Sequence, residues 1–485
     1  DVPSAPEETP TAMVNSGVTS YTLAAPKIFW HTRVPICPPA SPEAVESPLV
    51  TYPETIKRVA RYGSQNRTLY EQQQNCSTGQ ILSNLAADGD FIYFYNPTGL
   101  MKLSTLANPG DAPQIMNALV DAPGEVVDGG DRVFYIAQNT TGNTQVGYVL
   151  KSNNARVNFA FPTSTASNLS FDGQYAYYIV AGNLYRYNPS TAQQILVTTG
   201  VTGYYAEGRR LLFCTFNPPN CFYTDTIYIA KGRFIYTFNN ETDTLNTTAT
   251  YTSIDTSARV EEMVTDSGFL FFFERRTVPC SPQPCFSQYN YVLQRTTRAG
   301  AALQSLYILG PTLSTGPTNL NTTDGFLYWD ETGKLNRLPN DVAALPVINM
   351  SFTGMEITQG IQSLNNSVLL IKNRRTFVRV YVKSDGNAVP GVTAQLFAPS
   401  LGLGPLNPVN PKGTKITVRN IPNRSAIEES FLFELPWSWI QGNSLTLRAD
   451  LNPYKVPLEP NYTDNSISRT VSLVNSPNLS VEFFS

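Results

Sequence analysis

The chain has 485 residues, 34 Lys and Arg against 37 Asp and Glu, a formal charge of -3, and only 15% charged residues. That length exceeds one ordinary core, so two or more domains are expected; the near-neutral balance leaves no electrostatic footprint for nucleic acid or an anionic membrane. No run approaches about 18 consecutive apolar residues, so no membrane span is expected, and 26 Tyr and 25 Phe amid abundant Thr, Asn and Pro favour strands and turns over helices.

In chain order, residues 1–25 are rich in Pro, Thr and Ser, lack periodicity, and read as an extended N-terminal arm. The opening Asp1-Val2-Pro3-Ser4-Ala5-Pro6-Glu7-Glu8 looks like a mature N-terminus left by cleavage. Lys27-Ile28-Phe29-Trp30 is the first strand-like run. From there a short unit keeps returning: an Asp-Gly turn, an aromatic-rich strand, a second turn, and a strand ending in a basic or polar residue. It reads Asp88-Gly89-Asp90-Phe91-Ile92-Tyr93-Phe94-Tyr95, then Gly99-Leu100-Met101-Lys102-Leu103. It returns as Asp172-Gly173-Gln174-Tyr175-Ala176-Tyr177-Tyr178-Ile179 with Leu184-Tyr185-Arg186, and as Asp324-Gly325-Phe326-Leu327-Tyr328-Trp329 with Leu335-Asn336-Arg337. Looser copies start at Asp128-Gly129, Glu207-Gly208 and Asp266-Ser267-Gly268, giving spacings of about 35 to 60 residues, the range of propeller blades. The aromatic runs are apolar at successive positions, as expected of strands covered on both faces. Residues 26–346 are therefore expected to form a β-propeller. Six blades closed by strands from both ends are favoured, and a seventh is available if Lys27–Val34 joins a divergent strand.

Six cysteines point to an oxidising compartment. Cys214 and Cys221 bracket Thr-Phe-Asn-Pro-Pro-Asn, Cys280 and Cys285 bracket Ser-Pro-Gln-Pro, and Cys37 and Cys76 remain to pair across the N-terminal region; spacing alone does not prove the connectivity. Glycosylation sequons fall at Asn66, Asn75, Asn139, Asn168, Asn240, Asn246, Asn321, Asn349, Asn365, Asn423, Asn461 and Asn478. Turn positions such as Asn139, Asn246, Asn321 and Asn461 are expected to carry glycans, whereas Asn168, inside a two-sided strand, is expected to be blocked.

Past Pro346 the composition changes. Met355-Glu356-Ile357-Thr358-Gln359-Gly360-Ile361-Gln362 precedes Arg374-Arg375-Thr376-Phe377-Val378-Arg379-Val380-Tyr381-Val382, an alternating strand. Further one-sided strands lie at 415–418, 430–435, 444–450 and 466–473. Residues 347–474 are thus expected to form an immunoglobulin-like β-sandwich, and residues 475–485 a strand-like tail or the start of a further domain.

Chemistry is sparse. The single histidine, His31, has no ligand-spaced partner, so neither a metal centre nor a Ser-His-Asp triad is expected. There is no Gly-x-Ser-x-Gly elbow, no His-Glu-x-x-His and no phosphate loop. Glu261-Glu262 and Asp88/Asp90 are nominal carboxylate pairs for glycoside hydrolysis, but such neighbours at strand turns are expected to be solvated. No Asp-x-Asp-x-Asp-Gly loop is present, which leaves calcium a weak option. Lys372, Arg374, Arg375 and Arg379 read as the exposed face of a strand. No catalytic residue, cofactor or metal is therefore assigned.

The propeller region resembles a bacterial propeller-repeat family whose units read Asp-Gly-x-Tyr-Ile-Tyr-Tyr followed by Leu-Tyr-Arg. That resemblance covers roughly two thirds of the chain, and its motif is structural. Ser170-Phe171-Asp172-Gly173 does not match a sialidase Ser-x-Asp-x-Gly-x-x-Trp box, because the glycine comes one place early and the tryptophan is missing. The later region resembles a sandwich domain of large secreted bacterial surface proteins, and adhesion-related modules ending in a Glu-x-Asn-x-x-Asn-Asn turn. Here the turn reads Glu459-Pro460-Asn461-Tyr462-Thr463-Asp464-Asn465, with Asp464 where the family often has Asn. The extended arm, strand-like tail, exposed β-modules and missing catalytic set lead to the expectation of a non-enzymatic secreted surface glycoprotein for extracellular assembly or adhesion, whose partner is another copy, head to tail, or other surface proteins and glycans. A filament or sheath subunit is the sharpest form. The alternatives are the recognition region of a larger secreted protease, with its catalytic domain beyond Ser485, and a glycan-binding propeller.

Overall fold

The computed structural model describes residues 11–14, 18–24, 27–33, 51–60, 67–75, 84–96, 98–108, 110–117, 124–138, 144–216, 219–266, 268–278, 288–312, 316–323, 325–331, 333–345, 347–455, 457 and 459–476. It is all-β. Among the described residues the helical elements are single 3-10 turns at Pro399–Leu401, Ile427–Glu429 and Trp437–Trp439, and no helix is long and apolar enough to cross a membrane. By contact the chain divides into two compact units, one of residues 1–276, 291–307 and 314–344, the other of residues 277–290, 308–313 and 345–485.

The N-terminal part folds into seven antiparallel sheets among the described residues, six of four strands and one of five. The first sheet runs Val18–Ala24, Lys27–Arg33, Thr51–Ala60 and Arg67–Asn75. The second is Ala86–Ala87, Phe91–Asn96, Gly99–Ser104 and Gln114–Asn117. The third is Val126–Asp128, Arg132–Gln138, Thr144–Leu150 and Arg156–Ala160. The fourth is Ala166–Phe171, Ala176–Val180, Asn183–Asn188 and Gln193–Thr198. The fifth is Gly203–Phe216, Pro219–Lys231, Phe234–Asn239 and Thr244–Leu245, with Tyr251–Thr252 also on its third strand. The sixth is Arg259–Thr265, Phe269–Val278, Gln288–Thr297 and Gln304–Thr312. The seventh combines Thr318–Thr323, Phe326–Glu331 and Lys334–Pro339 with Thr11–Val14 from the start of the chain. The segment expected as a free arm is thus partly woven in: Thr11–Val14 completes the last sheet and Val18–Ala24 opens the first.

The second strands carry apolar residues at successive positions because their two faces meet different neighbours. Phe94 packs with Phe29, Ile56 and Leu69 of the first sheet, while Tyr93 and Tyr95 pack with Val126, Val133 and Tyr135 of the third. Tyr177 and Ile179 likewise meet Ile227 and Ile229 of the fifth sheet, and Tyr228 meets Met263 and Phe272 of the sixth. Tyr21, Ile28 and Trp30 of the first sheet pack with Tyr328 and Leu335 of the seventh. The first strand of every sheet also meets the first strand of the next, and the cycle closes from Thr318–Thr323 onto Val18–Ala24. Sequential four-stranded sheets with buried faces and a closed cycle of inner strands make a β-propeller-like fold.

The repeat motif is the clasp of this cycle. Asp88 Oδ1 accepts the backbone N–H groups of Asp90 (2.8 Å) and Phe91 (2.7 Å), closing the turn, while Oδ2 accepts from Tyr93 Oη at 2.6 Å. Asp172 repeats this with Gln174 (2.8 Å), Tyr175 (2.7 Å) and Tyr177 Oη (2.6 Å). Gly173 follows with φ of 100°, a conformation strained for any residue bearing a Cβ. The outer carboxylate oxygen then reaches the next sheet. Lys151 Nζ donates to Asp88 at 2.6 Å, Asn240 Nδ2 to Asp172 at 3.4 Å, and Asn340 Nδ2 to Asp266 at 3.0 Å. Arg298 donates in the same way to Glu207. Lys151, Asn240, Arg298 and Asn340 each stand directly after the third strand of their sheet, so the four links are one device repeated. The motif's basic residue covers its aromatic: Lys102 lies 5.1 Å from the Phe91 ring, Arg186 4.5 Å from Tyr175, Arg295 5.2 Å from Phe269 and Arg337 5.2 Å from Phe326.

In the C-terminal unit, one sheet of Met350–Thr358, Phe377–Ser384 and Ser430–Glu434 shares a core with a second. The second is ordered Leu370–Ile371, Ser466–Val474, Ser444–Leu451, Ala394–Ala398 and Leu403–Leu406. Met355, Ile357, Val378, Val380 and Phe433 of the one meet Leu396, Leu447, Ala449 and Leu473 of the other in a single cluster.

Asn240 is the most committed of the clasps. It is 5% exposed, donates to Asp225 Oδ1 (2.6 Å) and Tyr177 Oη (2.7 Å), and accepts from Arg186 Nη1 (2.7 Å). Asn240→Ala leaves three buried polar groups short of a partner and is expected to cost about 1–3 kcal/mol in urea unfolding. Asn246→Ala, an exposed site, is expected to stay within about 0.5 kcal/mol.

Candidate functional site

Of the four carboxylates considered for catalysis, Asp88, Glu261 and Glu262 are bonded within the frame. Asp88 holds its turn and its clasp. Burial alone would raise its pKa, but Lys151, Tyr93 and two backbone amides outweigh that and hold it at about 2. Asp90 is exposed beside it and forms no second half of a pair. Glu261 faces Arg275 at 3.2 Å and Arg259 at 4.0 Å. Glu262 instead accepts the backbone N–H groups of Asn319 and Leu320 in the next sheet's inner strand. Glu125 does the same to Asn168 (2.9 Å) and Leu169 (2.6 Å). Both donor sites are β-bulges around an Asn with φ of 57°, Asn168 and Asn319, which turns consecutive N–H groups toward one carboxylate. Glu125 and Glu262 are thus equivalent inner-strand clasps. His31 lies on Lys27–Arg33, where its side chain is outside the described residues. Among the described residues no group of three or more His, Cys, Asp or Glu is arranged to hold a metal.

Burial pushes Glu262 up to about 7, helped by Asp330 and Glu261 against the two backbone donors. Its folded pKa lies above its ordinary value of 4.5, so the native state holds the proton longer than the unfolded chain. The contribution to stability is therefore full below about pH 4.5 and falls as pH rises to about 7. Glu262→Gln is expected to remove that fall, making the variant relatively more stable at pH 8 than at pH 5 in thermal unfolding. An unchanged slope between those pH values contradicts the assignment.

Among the cysteines, the register places Cys214 opposite Cys221 across the hairpin of the fifth sheet; Cys37, Cys76, Cys280 and Cys285 lie outside the described residues. Of the sequons, Asn246, Asn321, Asn365, Asn423 and Asn461 are exposed. Asn168 is exposed as well, because its bulge turns it out of the two-sided strand in which it was expected to be blocked. Asn240 corrects the sequon reading in the other direction: its amide is buried and fully bonded, leaving no room for a glycan. Asn349 is half-buried with Nδ2 on Asp464 Oδ2 at 2.9 Å. Asn66, Asn139 and Asn478, and the side chain of Asn75, lie outside the described residues. Unreduced peptide mapping is expected to recover Cys214 and Cys221 cross-linked, glycans among the six exposed sequons, and Asn240 bare. Thiol labelling of either cysteine in the native protein, or a glycan on Asn240, contradicts this.

The C-terminal unit carries a basic cluster, a strand edge and an exposed apolar loop. Arg375 pairs with Glu434 (2.7 and 3.0 Å), and Arg379 binds Ser430 Oγ (2.7 Å) and the Ala426 carbonyl (2.8 Å). Lys372 donates to Asn443. Arg374 is exposed. The expected basic cluster is therefore mostly spent on its own sheet. Strand Ser466–Val474 differs. It pairs along Ser466–Ser472 with Ser444–Asp450 on one side, while on the other its strand pairing is confined to Leu473 and Val474, with Leu370 and Ile371. Its exposed face is Ser466, Ser468, Thr470 and Ser472. Arg469 reaches from it to the carbonyls of Leu364 (3.1 Å) and Asn365 (3.3 Å), fixing a loop alongside. That loop exposes Ile361 (86%), Leu364 (38%), Val368 (48%) and Leu369 (70%). Gln359 and Gln362 shape it, each amide bonding loop backbone as a strand would. An open edge beside exposed apolar side chains is a feature to which a further strand can add. The alternation of Ser466–Leu473 showed the strand; the exposed loop had no periodic signal and was missed.

Neither a protein-family model nor a curated protein matches the chain. Among solved structures it is similar to a putative TolB from Agrobacterium tumefaciens, at 11% identity and TM-score 0.31, over 50% of this chain and 85% of that one. It is similar to oligogalacturonate lyase from Vibrio parahaemolyticus at 9% identity and TM-score 0.39, over 61% and 88%. It is also similar to PorZ, a surface component of the type-IX secretion system of Porphyromonas gingivalis, at 9% identity and TM-score 0.38, over 95% and 60%. These likenesses are weak; the propeller-like fold stands on the strand pairing and the closed cycle of inner strands.

Proposed function

We propose that this chain is a non-enzymatic, secreted surface glycoprotein that works by extracellular assembly or adhesion. It is built as a seven-bladed propeller followed by an immunoglobulin-like sandwich. Seven sheets in one cycle, with the N-terminal strand completing the last, support the blade count. Two sheets sharing one core support the sandwich. The observation that carries the function is the edge of Ser466–Val474, paired over most of its length on one side alone. Proteins normally blunt such an edge with charge or proline; here its exposed face presents Ser and Thr, and the charge the strand carries, Arg469, is turned onto the loop alongside. An added strand gains main-chain hydrogen bonds in register, and a head-to-tail contact extends into a fibre unless its rotation closes.

Ser468→Lys with Thr470→Lys places two charges on the exposed face of this edge strand without touching the shared core. Sedimentation velocity is expected to show concentration-dependent assembly of the parent chain and its loss in the double variant. A parent chain that stays monomeric at high concentration, or a variant that assembles equally well, rejects the reading.

A further inference from the structure

The Glu459–Asn465 turn ends in acceptor oxygens that have no donor. It lies at one end of the C-terminal unit, where Asn349 precedes Met350–Thr358, Asp385 follows Phe377–Ser384, and Asn452 follows Ser444–Leu451. Glu459 is 2% exposed. Its Oε1 accepts from Asn452 Nδ2 (2.8 Å) and Asn465 Nδ2 (2.7 Å), and its Oε2 from the Met350 N–H (2.7 Å). Asn465, 6% exposed, also gives Nδ2 to the Leu451 carbonyl (3.3 Å), which leaves its Oδ1 sealed and unpartnered. Asp464 takes Asn349 Nδ2 on Oδ2, and its Oδ1 is sealed and unpartnered. Asn349 Oδ1 is in the same condition.

Three buried oxygens without a donor therefore sit on residues joined by a peptide bond or a hydrogen bond. Two carboxylates share the knot, and neither Glu459 nor Asp464 forms an ion pair with a Lys or Arg among the described residues. A single buried water has two protons to give and leaves one of the three oxygens unmet. A hard cation satisfies all of them, since it takes carboxylate and amide oxygens alike. We propose that Asp464 Oδ1, Asn465 Oδ1 and Asn349 Oδ1 form a calcium site, with the exposed carboxylate of Asp385 at its rim. Asp385 already accepts the Asn349 N–H at 2.9 Å, so it is tied to the same group. Calcium fits better than magnesium because its flexible coordination accepts a mixed amide and carboxylate set, with water completing the shell at the exposed Asp385 rim, whereas magnesium demands a near-ideal octahedron. Asp464 supplies the anionic ligand that an Asn at this position would lack.

The test uses the full chain, stripped with EGTA and titrated with CaCl2 by calorimetry, with native mass spectrometry to count bound metal. One calcium per chain is expected, with a higher melting temperature in CaCl2 than in MgCl2. Terbium luminescence sensitised by Tyr462, whose hydroxyl accepts the Glu459 N–H at 3.0 Å, gives a second readout. Asp464→Asn is expected to weaken calcium by more than about tenfold, and Asn349→Ala to weaken it as well, while Asp243→Asn, an exposed control in the other unit, leaves it unchanged. No stoichiometric calcium in the parent chain overturns the proposal and leaves the oxygens to water. Equal affinity in Asp464→Asn, or tighter binding of magnesium, also overturns it. If Asp464→Asn does not fold, the parent stoichiometry and Asn349→Ala decide.

Discussion

A carboxylate that closes its own turn and then reaches the neighbouring sheet is the interaction on which the N-terminal fold depends. A four-stranded sheet cannot bury both faces alone, so apolar packing drives the sheets together but does not fix their stagger. The links Asp88–Lys151, Asp172–Asn240, Glu207–Arg298 and Asp266–Asn340 set it at one rim. At the inner strands, Glu125 and Glu262 set it again by gripping backbone N–H groups of the next sheet. These are directional contacts laid over non-directional burial.

The second strands and their order were legible because two-sided burial leaves an unbroken aromatic run. The repeat count was less so. Six copies carry the turn acid, but the first sheet has none: Val18–Ala24 and Lys27–Arg33 meet at a short connection without the motif. Its contribution shows only through packing, where Tyr21 and Trp30 meet Tyr328. The opening residues read as an arm because a four-residue strand such as Thr11–Val14 is too short for periodicity to register. Its partner, Lys334–Pro339, lies more than three hundred residues away.

The roles of individual polar residues were the hardest to foresee. Asn240 and Asn246 are both sequons, six positions apart. One is buried among Arg186, Asp225 and Tyr177, and the other is exposed at a turn. Nothing local distinguishes them, since the difference comes from a neighbouring sheet. Glu261 and Glu262 are adjacent, yet one faces arginines and the other clasps the next sheet, because the bulge between Val260 and Met263 breaks the strand's alternation. The Thr-Gln-Gly-Ile-Gln motif similarly proves to be two amide side chains that shape the loop beside the C-terminal edge.

The function proposed above rests on that edge and its apolar loop. Hydrogen–deuterium exchange of the backbone amides in Ser466–Val474, followed as protein concentration is raised, tests this most directly. Assembly through the edge predicts outward-facing amides that exchange rapidly when dilute and become protected as chains associate, while those bonded to Ser444–Leu451 stay protected throughout. Fast exchange at the outward amides, independent of concentration, in a solution where the chain is shown to associate, would contradict the account.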